Sequence, residues 1–299
     1  MPETTETAST AGSGPIAAEP YKLHRRWDRL ARLASDTGME RLQNAFVVVV
    51  GLGGVGSFAA EAIVRSGVGR VRVVDFDDAC VTNSNRQLHA MKGNIGRPKA
   101  MLLGERYALI NPQATIEPIK QFYNAENADE ILAGKPDFVV DAIDNVTAKC
   151  HLIATCKERG IPLVTCLGAA GRWDPTQIRV ADLNRTKNCR LGVAVRDILR
   201  TKHGFPKSGL WGVTTVYSDE FVQTPHRLAY DGDDGFVCVC PQGQNGYFEC
   251  EKRNRIDGSV AFVTGTFGLM AASVVVRGVV GDASNPVPLD PPAAPGEEA

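Results

Sequence analysis

An apolar run that leads directly into a cluster of glycines constrains this 299-residue chain more than any other feature. The residues just before Gly51 are all apolar, as expected of a strand buried on both faces of a parallel sheet. Gly53 and Gly56 complete a G-x-G-x-x-G arrangement, and the apolar residues from Gly54 to Ser66 have helical spacing. Glycine lets the backbone approach a phosphate, and a helix N-terminus offers free N–H groups. The pattern predicts a nucleotide-binding turn between a buried strand and a helix.

Two carboxylates mark the end of the next predicted strand, residues 71–75. Asp75 lies about 20 residues after the glycine turn, where nucleotide-binding sheets place an acid on the ribose hydroxyls. Asp77 adds a second carboxylate, which is suited to a position near metal or phosphate. A nicotinamide-dependent oxidoreductase needs only the first acid, so that class of enzyme stays open at this point.

A polar loop and a lysine follow the two acids. The loop contains Asn83, Asn85, Arg86 and Gln87, which supply amides for bases or phosphates and a planar guanidinium for phosphate oxygens. Lys99 follows a proline, a residue that opens helices, and we expect it to reach the same phosphates. Taken singly, each side chain is explained as solvated surface, and for a single Lys or Arg that explanation is the better one. Taken together, they predict a site for a phosphorylated nucleotide.

A third strand is predicted at residues 138–143, and Asp144 follows it directly. Open parallel sheets bind ligands at the carboxyl ends of their strands, so Asp75, Asp77 and Asp144 are expected to share one crevice with the glycine turn. Mg²⁺ is typically held by one or two carboxylates together with substrate phosphates, and Asp144 is the candidate ligand. The alternative is that Asp144 caps the helix predicted at 146–159, and the two roles are compatible.

These residues resemble those of the ubiquitin-activating-like adenylating superfamily, which includes the ThiF, MoeB and HesA proteins. The resemblance implies an α/β, Rossmann-like, doubly wound and mainly parallel sheet with a C-terminal extension. It also implies that ATP and Mg²⁺ are used, with Arg86, Lys99 and Asp144 on the phosphates and metal. Residues 26–29 look like the R-Y-x-R motif of that superfamily. By this resemblance Arg29 reaches the active site of a neighbouring subunit, and the protein is a homodimer.

Further segments resemble one subfamily, the tRNA threonylcarbamoyladenosine dehydratases. They are residues 161–165, 174–178, 181–183, Thr186 and 264–268. The resemblance implies ATP-dependent closure of a ring on the threonylcarbamoyl group of an adenosine beside the anticodon of tRNA. The expected partner is therefore a tRNA anticodon stem-loop. A monovalent cation at the dimer interface and a sulfur-transfer protein partner are further implications of the resemblance.

The charge distribution agrees with a nucleic-acid substrate in one segment only. The whole chain has a net charge of -1, whereas residues 172–207 carry an excess of +6. A concentrated basic segment is what binding to a phosphate backbone requires. A solvated helix face around residues 191–202 is the alternative explanation. The basic residues are Arg172, Arg179, Arg185, Lys187, Arg190, Arg196, Arg200, Lys202 and Lys207.

The cysteines bear on an alternative function, adenylation of the C-terminus of a ubiquitin-like sulfur carrier for molybdopterin or thiamine synthesis. Many such enzymes hold zinc with two C-x-x-C pairs, and this chain has none. Cys238, Cys240 and Cys250 lie in a Gly-rich loop, where ordinary loop thiols, a redox or sulfur-relay thiol and a metal site remain open. Residues 150, 156 and 166, also cysteines, follow core patterns. An oxidoreductase is the less favoured third class, since it leaves Arg86, Lys99 and Asp144 unexplained.

The domain organisation predicted from composition is one folded unit between two tails. Residues 1–20 and 282–299 have the composition of disordered tails, and residues 21–281 form the adenylating domain. Within it, 172–207 is the basic substrate-binding segment and 231–258 a Cys/Gly-rich loop. The uncharged stretch 259–276 is predicted to be a buried strand and helix or a subunit contact, with membrane insertion as the alternative. A cytoplasmic location is expected.

Overall fold

A computed structural model describes residues 25–231 and 256–281, together with residues 237 and 239. The two predicted tails and Cys238, Cys240 and Cys250 lie outside the described residues, as does most of the predicted loop 231–258. Seven strands form one sheet: β1 (Phe46–Val50), β2 (Arg70–Val74), β3 (Thr115–Ile119), β4 (Phe138–Asp141), β5 (Leu163–Cys166), β6 (Ile178–Asp182) and β7 (Thr214–Ser218). The helices that accompany it are α1 (Asp28–Asn44), α2 (Gly56–Arg65), α3 (Lys99–Ile110), α4 (Ala128–Ile131), α5 (Val146–Glu158), α6 (Arg190–Lys202) and α7 (Ala261–Val280).

The sheet has the strand order β3-β2-β1-β4-β5-β7-β6 and is parallel except for the β6–β7 pair. The order reverses direction between β1 and β4, which leaves a crevice at their carboxyl ends because the connections depart to opposite sides. The predicted α/β, doubly wound and mainly parallel fold is confirmed.

Strand β1 shows why both faces of the sheet are covered. Val47 and Val49 face the layer that contains α1, α2, α3 and α7, whereas Val48 and Val50 face the layer that contains α4 and α5. All four side chains are buried. Successive residues of a strand point to opposite faces, so an uninterrupted valine run is what a two-sided core demands.

The end of β4 differs from the prediction. The strand ends at Asp141, two residues before the predicted end, and α5 begins at Val146. Asn145 caps this helix, since its Oδ1 accepts a hydrogen bond from the Ala148 N–H at 3.0 Å. The alternative role of Asp144 as the helix cap is therefore wrong, and the capping preference is met by the next residue.

Helix α7 accounts for the long uncharged stretch near the C-terminal end of the domain. It is long and apolar enough to cross a membrane, with a mean hydropathy of 1.6, but half of that window is buried inside the fold. It packs against α1 and α2, with Phe267 and Val275 fully buried. The predicted burial is confirmed. The predicted strand is wrong, because residues 256–260 have no regular secondary structure.

Gly268 allows α7 to lie directly on the first turn of α2. A Cβ at this position would lie 2.3 Å from the Val55 carbonyl oxygen and 2.8 Å from the Ala59 nitrogen. Both atoms belong to backbone, so Gly268→Ala must push the two helices apart. We expect a loss of about 1–3 kcal/mol in the free energy of unfolding, measured by urea denaturation. Ser273→Ala, at an exposed position of the same helix, should change it by less than about 0.5 kcal/mol. Equal stability of the Gly268 variant and the wild type would contradict the close packing.

Candidate active site

A crevice of about 410 Å³ opens at the carboxyl ends of β1, β2 and β4, where the strand order reverses. It brings together ten of the residues that the sequence singles out. They are Gly51, Gly53, Gly54, Asp75, Asp77, Asn83, Arg86, Gln87, Lys99 and Asp144. Three other predicted site residues, Gly56, Asn85 and Arg29, are not part of its wall.

The glycine turn depends on the absence of side chains at two positions. Gly51 has a φ of +88°, and a Cβ there would lie 2.6 Å from the Ala142 carbonyl oxygen. Gly56 lies in the first turn of α2, where a Cβ would lie 1.7 Å from the Gly51 carbonyl oxygen. Gly56 thus supports the turn by close packing, and the residues between the two glycines face the crevice.

Asp75 connects the glycine turn to the acid pair. Its Oδ2 accepts a hydrogen bond from the Leu52 N–H at 2.6 Å, and its Oδ1 accepts one from the Asp77 N–H at 2.8 Å. Burial raises the pKa of this carboxyl group, although the nearby Lys99 charge and the two N–H donors oppose the shift. The structural role was not predicted, and the predicted ribose contact stays a prediction.

Lys99 is the first residue of α3 and is almost completely buried. Its Nζ lies 2.9 Å from Asp77 Oδ2, and its backbone N–H donates to the Asp77 carbonyl oxygen at 3.0 Å. These two contacts fix the ammonium group at the wall of the crevice. As expected, the helix begins directly after Pro98.

Arg86 enters the crevice from the loop after β2. Its Nη1 donates to the Thr82 carbonyl oxygen at 2.9 Å and to Asn85 Oδ1 at 3.0 Å. Asn85 in turn donates its Nδ2 to the Ser259 carbonyl oxygen at 2.8 Å. Asn85 therefore links Arg86 to the segment before α7, although the sequence suggested direct contact with nucleotide.

Two amides of the same loop have different surroundings. Asn83 Oδ1 accepts the Cys80 N–H at 3.2 Å, so this side chain holds the loop in shape. Gln87 Oε1 is buried and, among the described residues, has no hydrogen-bond partner. A buried acceptor without a donor is costly, and a ligand in the crevice would remove that cost.

Asp144 is exposed at the opposite wall, and within residues 25–231 and 256–281 its carboxylate has neither a hydrogen bond nor an ion pair. The turn that carries it is held from below by a buried ion pair, with Lys149 Nζ 2.7 Å from Asp141 Oδ2. Thr165 donates to the same oxygen at 2.6 Å, and Asp141 Oδ1 accepts the Ile143 N–H at 3.1 Å. Nothing in the sequence pattern distinguishes this supporting pair from surface charges.

Several residues of the crevice wall were missed by sequence reasoning. Phe76 and Phe122 form an edge-to-face pair with ring centroids 5.1 Å apart, and both line an apolar part of the crevice. Ser259 and Thr264 come from the segment before α7 and from its first turn. The resemblance at residues 264–268 was the available signal for this contribution.

Arg29 lies on an exposed part of α1, and its predicted action on a neighbouring subunit stays a prediction.

The basic segment, residues 172–207, divides into two groups. The first group is engaged within the protein: Arg172 is buried, Arg179 donates to the Thr176 carbonyl oxygen, Arg196 donates to Thr186, and Arg200 donates to Asn184. The exposed cations of the segment are Arg185, Lys187, Arg190, Lys202 and Lys207.

The cysteines of the described part behave as core residues. Burial raises the pKa of Cys150 to about 11 and that of Cys156 and Cys166 to about 12. The predicted core positions of these three thiols are confirmed. Within the described ranges, no group of three or more His, Cys, Asp or Glu side chains could hold a metal ion.

The comparison with protein families gives a match to the ThiF family over residues 27–291. The chain belongs to the ThiF family. This ThiF-family chain is 38% identical over 261 residues to the tRNA threonylcarbamoyladenosine dehydratase of Escherichia coli K12, covering 87% of this chain and 95% of the relative. A crystal structure of the E. coli dehydratase in complex with ATP matches with a TM-score of 0.75 and 35% identity, over 87% of this chain and 96% of that one.

Another relative is the molybdopterin-synthase adenylyltransferase of Salmonella typhimurium. It is 34% identical, but the match extends over 152 residues, 51% of this chain and 59% of the relative. The match to the dehydratase therefore covers 87% of this chain, whereas the match to the adenylyltransferase covers 51% of it.

His89 is buried two residues after Gln87, and we expect it to make the stability of the protein depend on pH. Both ring nitrogens are buried and lack partners among the described residues. Burial, together with the nearby Lys99 charge, lowers the pKa of His89 from 6.5 to about 4. The unfolded chain therefore binds more protons between these values, and stability falls as the pH falls through that window.

The expected loss from this histidine between pH 7 and pH 5 is about 2 kcal/mol. Urea denaturation of the wild type and of His89→Asn at both pH values measures it. The variant should lose less stability on acidification than the wild type, by about that amount. The same loss in both proteins would contradict the buried neutral state of His89.

Proposed function

We propose that this ThiF-family protein is an ATP-dependent tRNA threonylcarbamoyladenosine dehydratase. The observation that carries the proposal is the convergence of the glycine turn, Arg86, Lys99 and Asp144 on one crevice. The similarity to the dehydratase of E. coli, which covers 95% of that relative, supplies the substrate class. Sequence and geometry thus point to the same chemistry.

The reaction begins with an acid that cannot cyclise directly, because hydroxide is a poor leaving group. The threonyl carboxylate attacks the α-phosphorus of ATP, pyrophosphate departs, and a mixed anhydride with AMP forms. The carbamoyl oxygen of the same side chain then attacks the activated carbonyl carbon, AMP leaves with the electrons of the C–O bond that breaks, and a carbamoyl N–H loses its proton to give the neutral ring. The second step is intramolecular, so positioning contributes much of the rate. A structure of the E. coli dehydratase in complex with AMP supports adenylyl transfer.

We assign roles in the crevice according to charge and position. Arg86 and Lys99 bind the ATP phosphates, because fixed cations stabilise the charge that develops during transfer. Asp75 accepts a hydrogen bond from a ribose hydroxyl, using the carboxylate lone pairs that its two backbone hydrogen bonds leave free. The unpartnered Gln87 oxygen accepts a hydrogen bond from the nucleotide or substrate. Asp77 acts indirectly, because it holds Lys99 in place. Asn83 also acts indirectly, because it holds the loop in shape.

Asp144 fits the requirements of Mg²⁺. Its carboxylate is exposed to the crevice and, in the described part of the chain, unpaired. The small number of protein ligands is also suitable, since Mg²⁺ takes most of its oxygens from phosphate and water. When bound, the ion would neutralise phosphate charge beside Asp144. Lys99 and Arg86 then hold the other phosphate oxygens.

The exposed cations of the basic segment supply the surface for tRNA. Arg185 and Arg190 are exposed and can bind phosphates, and the exposed Lys187 can do so beside its carboxylate neighbour Asp219. Arg172 and Arg200, by contrast, donate to backbone and side-chain oxygens of the protein. On the family resemblance we further propose a homodimer, completed by Arg29 from the second subunit, in the cytoplasm. A monovalent cation at its interface and a sulfur-transfer partner rest on that resemblance alone.

The direct experiment incubates the protein with ATP and with tRNA that carries threonylcarbamoyladenosine. Nucleoside mass spectrometry should show the loss of one water, and AMP with pyrophosphate should accumulate in equal amount. ADP with phosphate would replace adenylyl transfer by phosphoryl transfer. An unchanged tRNA together with adenylation of a sulfur-carrier protein would support the alternative function and overturn this one.

Arg86→Ala tests the phosphate contact. Removal of one preorganised donor to the transferring group should lower kcat about 100-fold or more, with unchanged urea denaturation. Arg159→Ala is the matched control, because Arg159 pairs with Asp129 near the end of α5, at the sheet edge opposite the crevice. Full activity of the Arg86 variant would remove this residue from the site.

A further inference from the structure

A second cavity lies directly against the active-site crevice. Its volume is about 330 Å³, and Ser259 belongs to the walls of both cavities. The wall between them also includes Arg172, which lines the second cavity and donates to the carbonyl oxygens of Gly168 and Ala170 in the wall of the first. The two cavities are therefore adjacent and meet at Ser259 and Arg172.

The second cavity has an aromatic rim. Trp173, Tyr230 and His226 line it, and the first two are more than half exposed. Trp173 also lies against Phe262, with ring centroids 6.2 Å apart. Large exposed aromatic rings around a pocket of this size are typical of a ligand site rather than of a packed core.

Trp173 is held in place by the backbone around it. Glu220 accepts the Trp173 N–H at 3.0 Å and the Asp174 N–H at 2.9 Å. The preceding Gly171 joins two other walls of the cavity. Its N–H donates to the Gly258 carbonyl oxygen at 2.7 Å, and its carbonyl oxygen accepts the Gln223 N–H at 2.8 Å. The indole is thus presented on a rigid support while its ring remains accessible.

A buried positive charge lies at the junction of the two cavities. Arg172 is almost completely buried, and among the described residues its guanidinium contacts carbonyl oxygens, with no carboxylate partner and with Nε unpartnered. A desolvated cation without a counter-charge favours an electron-rich or anionic group beside it. Lys187, next to the Asn188 carbonyl that Arg172 binds, is a second cation outside the cavity, exposed to solvent and 3.7 Å from Asp219 Oδ1.

We propose that this cavity holds the adenine base of the substrate nucleotide, stacked on Trp173 and Tyr230. The inference rests on the proposed function and specifies its substrate subsite. Bases in RNA loops are recognised by being splayed out and stacked on aromatic side chains or Arg guanidinium groups. With the base in this cavity, its threonylcarbamoyl side chain passes Arg172 and Ser259 and brings the carboxylate to ATP in the neighbouring crevice.

Tryptophan fluorescence tests the proposal, because Trp27 and Trp211 are buried and Trp173 is 61% exposed. An anticodon stem-loop RNA carrying threonylcarbamoyladenosine should quench Trp173, and the same RNA with unmodified adenosine should quench it less. The quenching should disappear in Trp173→Phe. Quenching by ATP alone would assign the cavity to the cosubstrate and overturn the proposal.

Kinetics give the second readout. Trp173→Ala and Tyr230→Ala should each raise the KM for modified tRNA about 10-fold to 100-fold, with a smaller change in kcat and an unchanged Kd for ATP. Trp173→Phe should restore the KM. Leu109→Ala, which truncates an apolar side chain that is 81% exposed near the end of α3, is the matched control and should change nothing.

The possible failures are distinguishable. If the wild type closes the ring but both alanine variants keep its KM within about twofold, the base does not occupy this cavity and the proposed function stands. If the wild type leaves modified tRNA unchanged, both proposals fail together.

Discussion

The buried carboxylate of Asp75 is the contact on which the candidate site depends. One oxygen accepts a hydrogen bond from the backbone after Gly51 and the other accepts one from the backbone of Asp77, so one side chain joins the glycine turn to the end of β2. Asp77 then fixes Lys99 by a side-chain and a backbone contact. A single carboxylate thus aligns the predicted phosphate-binding backbone with the predicted phosphate-binding cation. Electrostatic catalysis requires charged groups that are already held in position before the reaction begins, as Lys99 is here.

The elements with a local cause were predictable from the sequence. The valine run of β1, the glycines after it and the acid after β2 each reflect a structural requirement at the position where the residues themselves lie. The strand, the turn and the acid were therefore predicted at their correct positions. The basic segment shows the limit of this reasoning. Charge alone could not separate Arg172, which bonds to three carbonyl oxygens, from Lys187, which faces solvent.

The remaining features depend on contacts between distant parts of the chain. Asn85 reaches Ser259, and Lys149 neutralises Asp141 beneath the turn of Asp144. The apolar stretch of α7 has the composition of a membrane span, and only its packing on α2 identifies it as a core helix. Such contacts are set by the topology of the sheet, which places the segment before α7 between two cavities.

We propose that one crevice binds ATP, with Arg86 and Lys99 on its phosphates and a metal ion on Asp144. A crystal structure of the protein with Mg²⁺ and a non-hydrolysable ATP analogue tests it most directly. We expect the triphosphate to lie over the turn at residues 51–54, in contact with both cations. An empty crevice, or a nucleotide whose phosphates touch neither Arg86 nor Lys99, would contradict it.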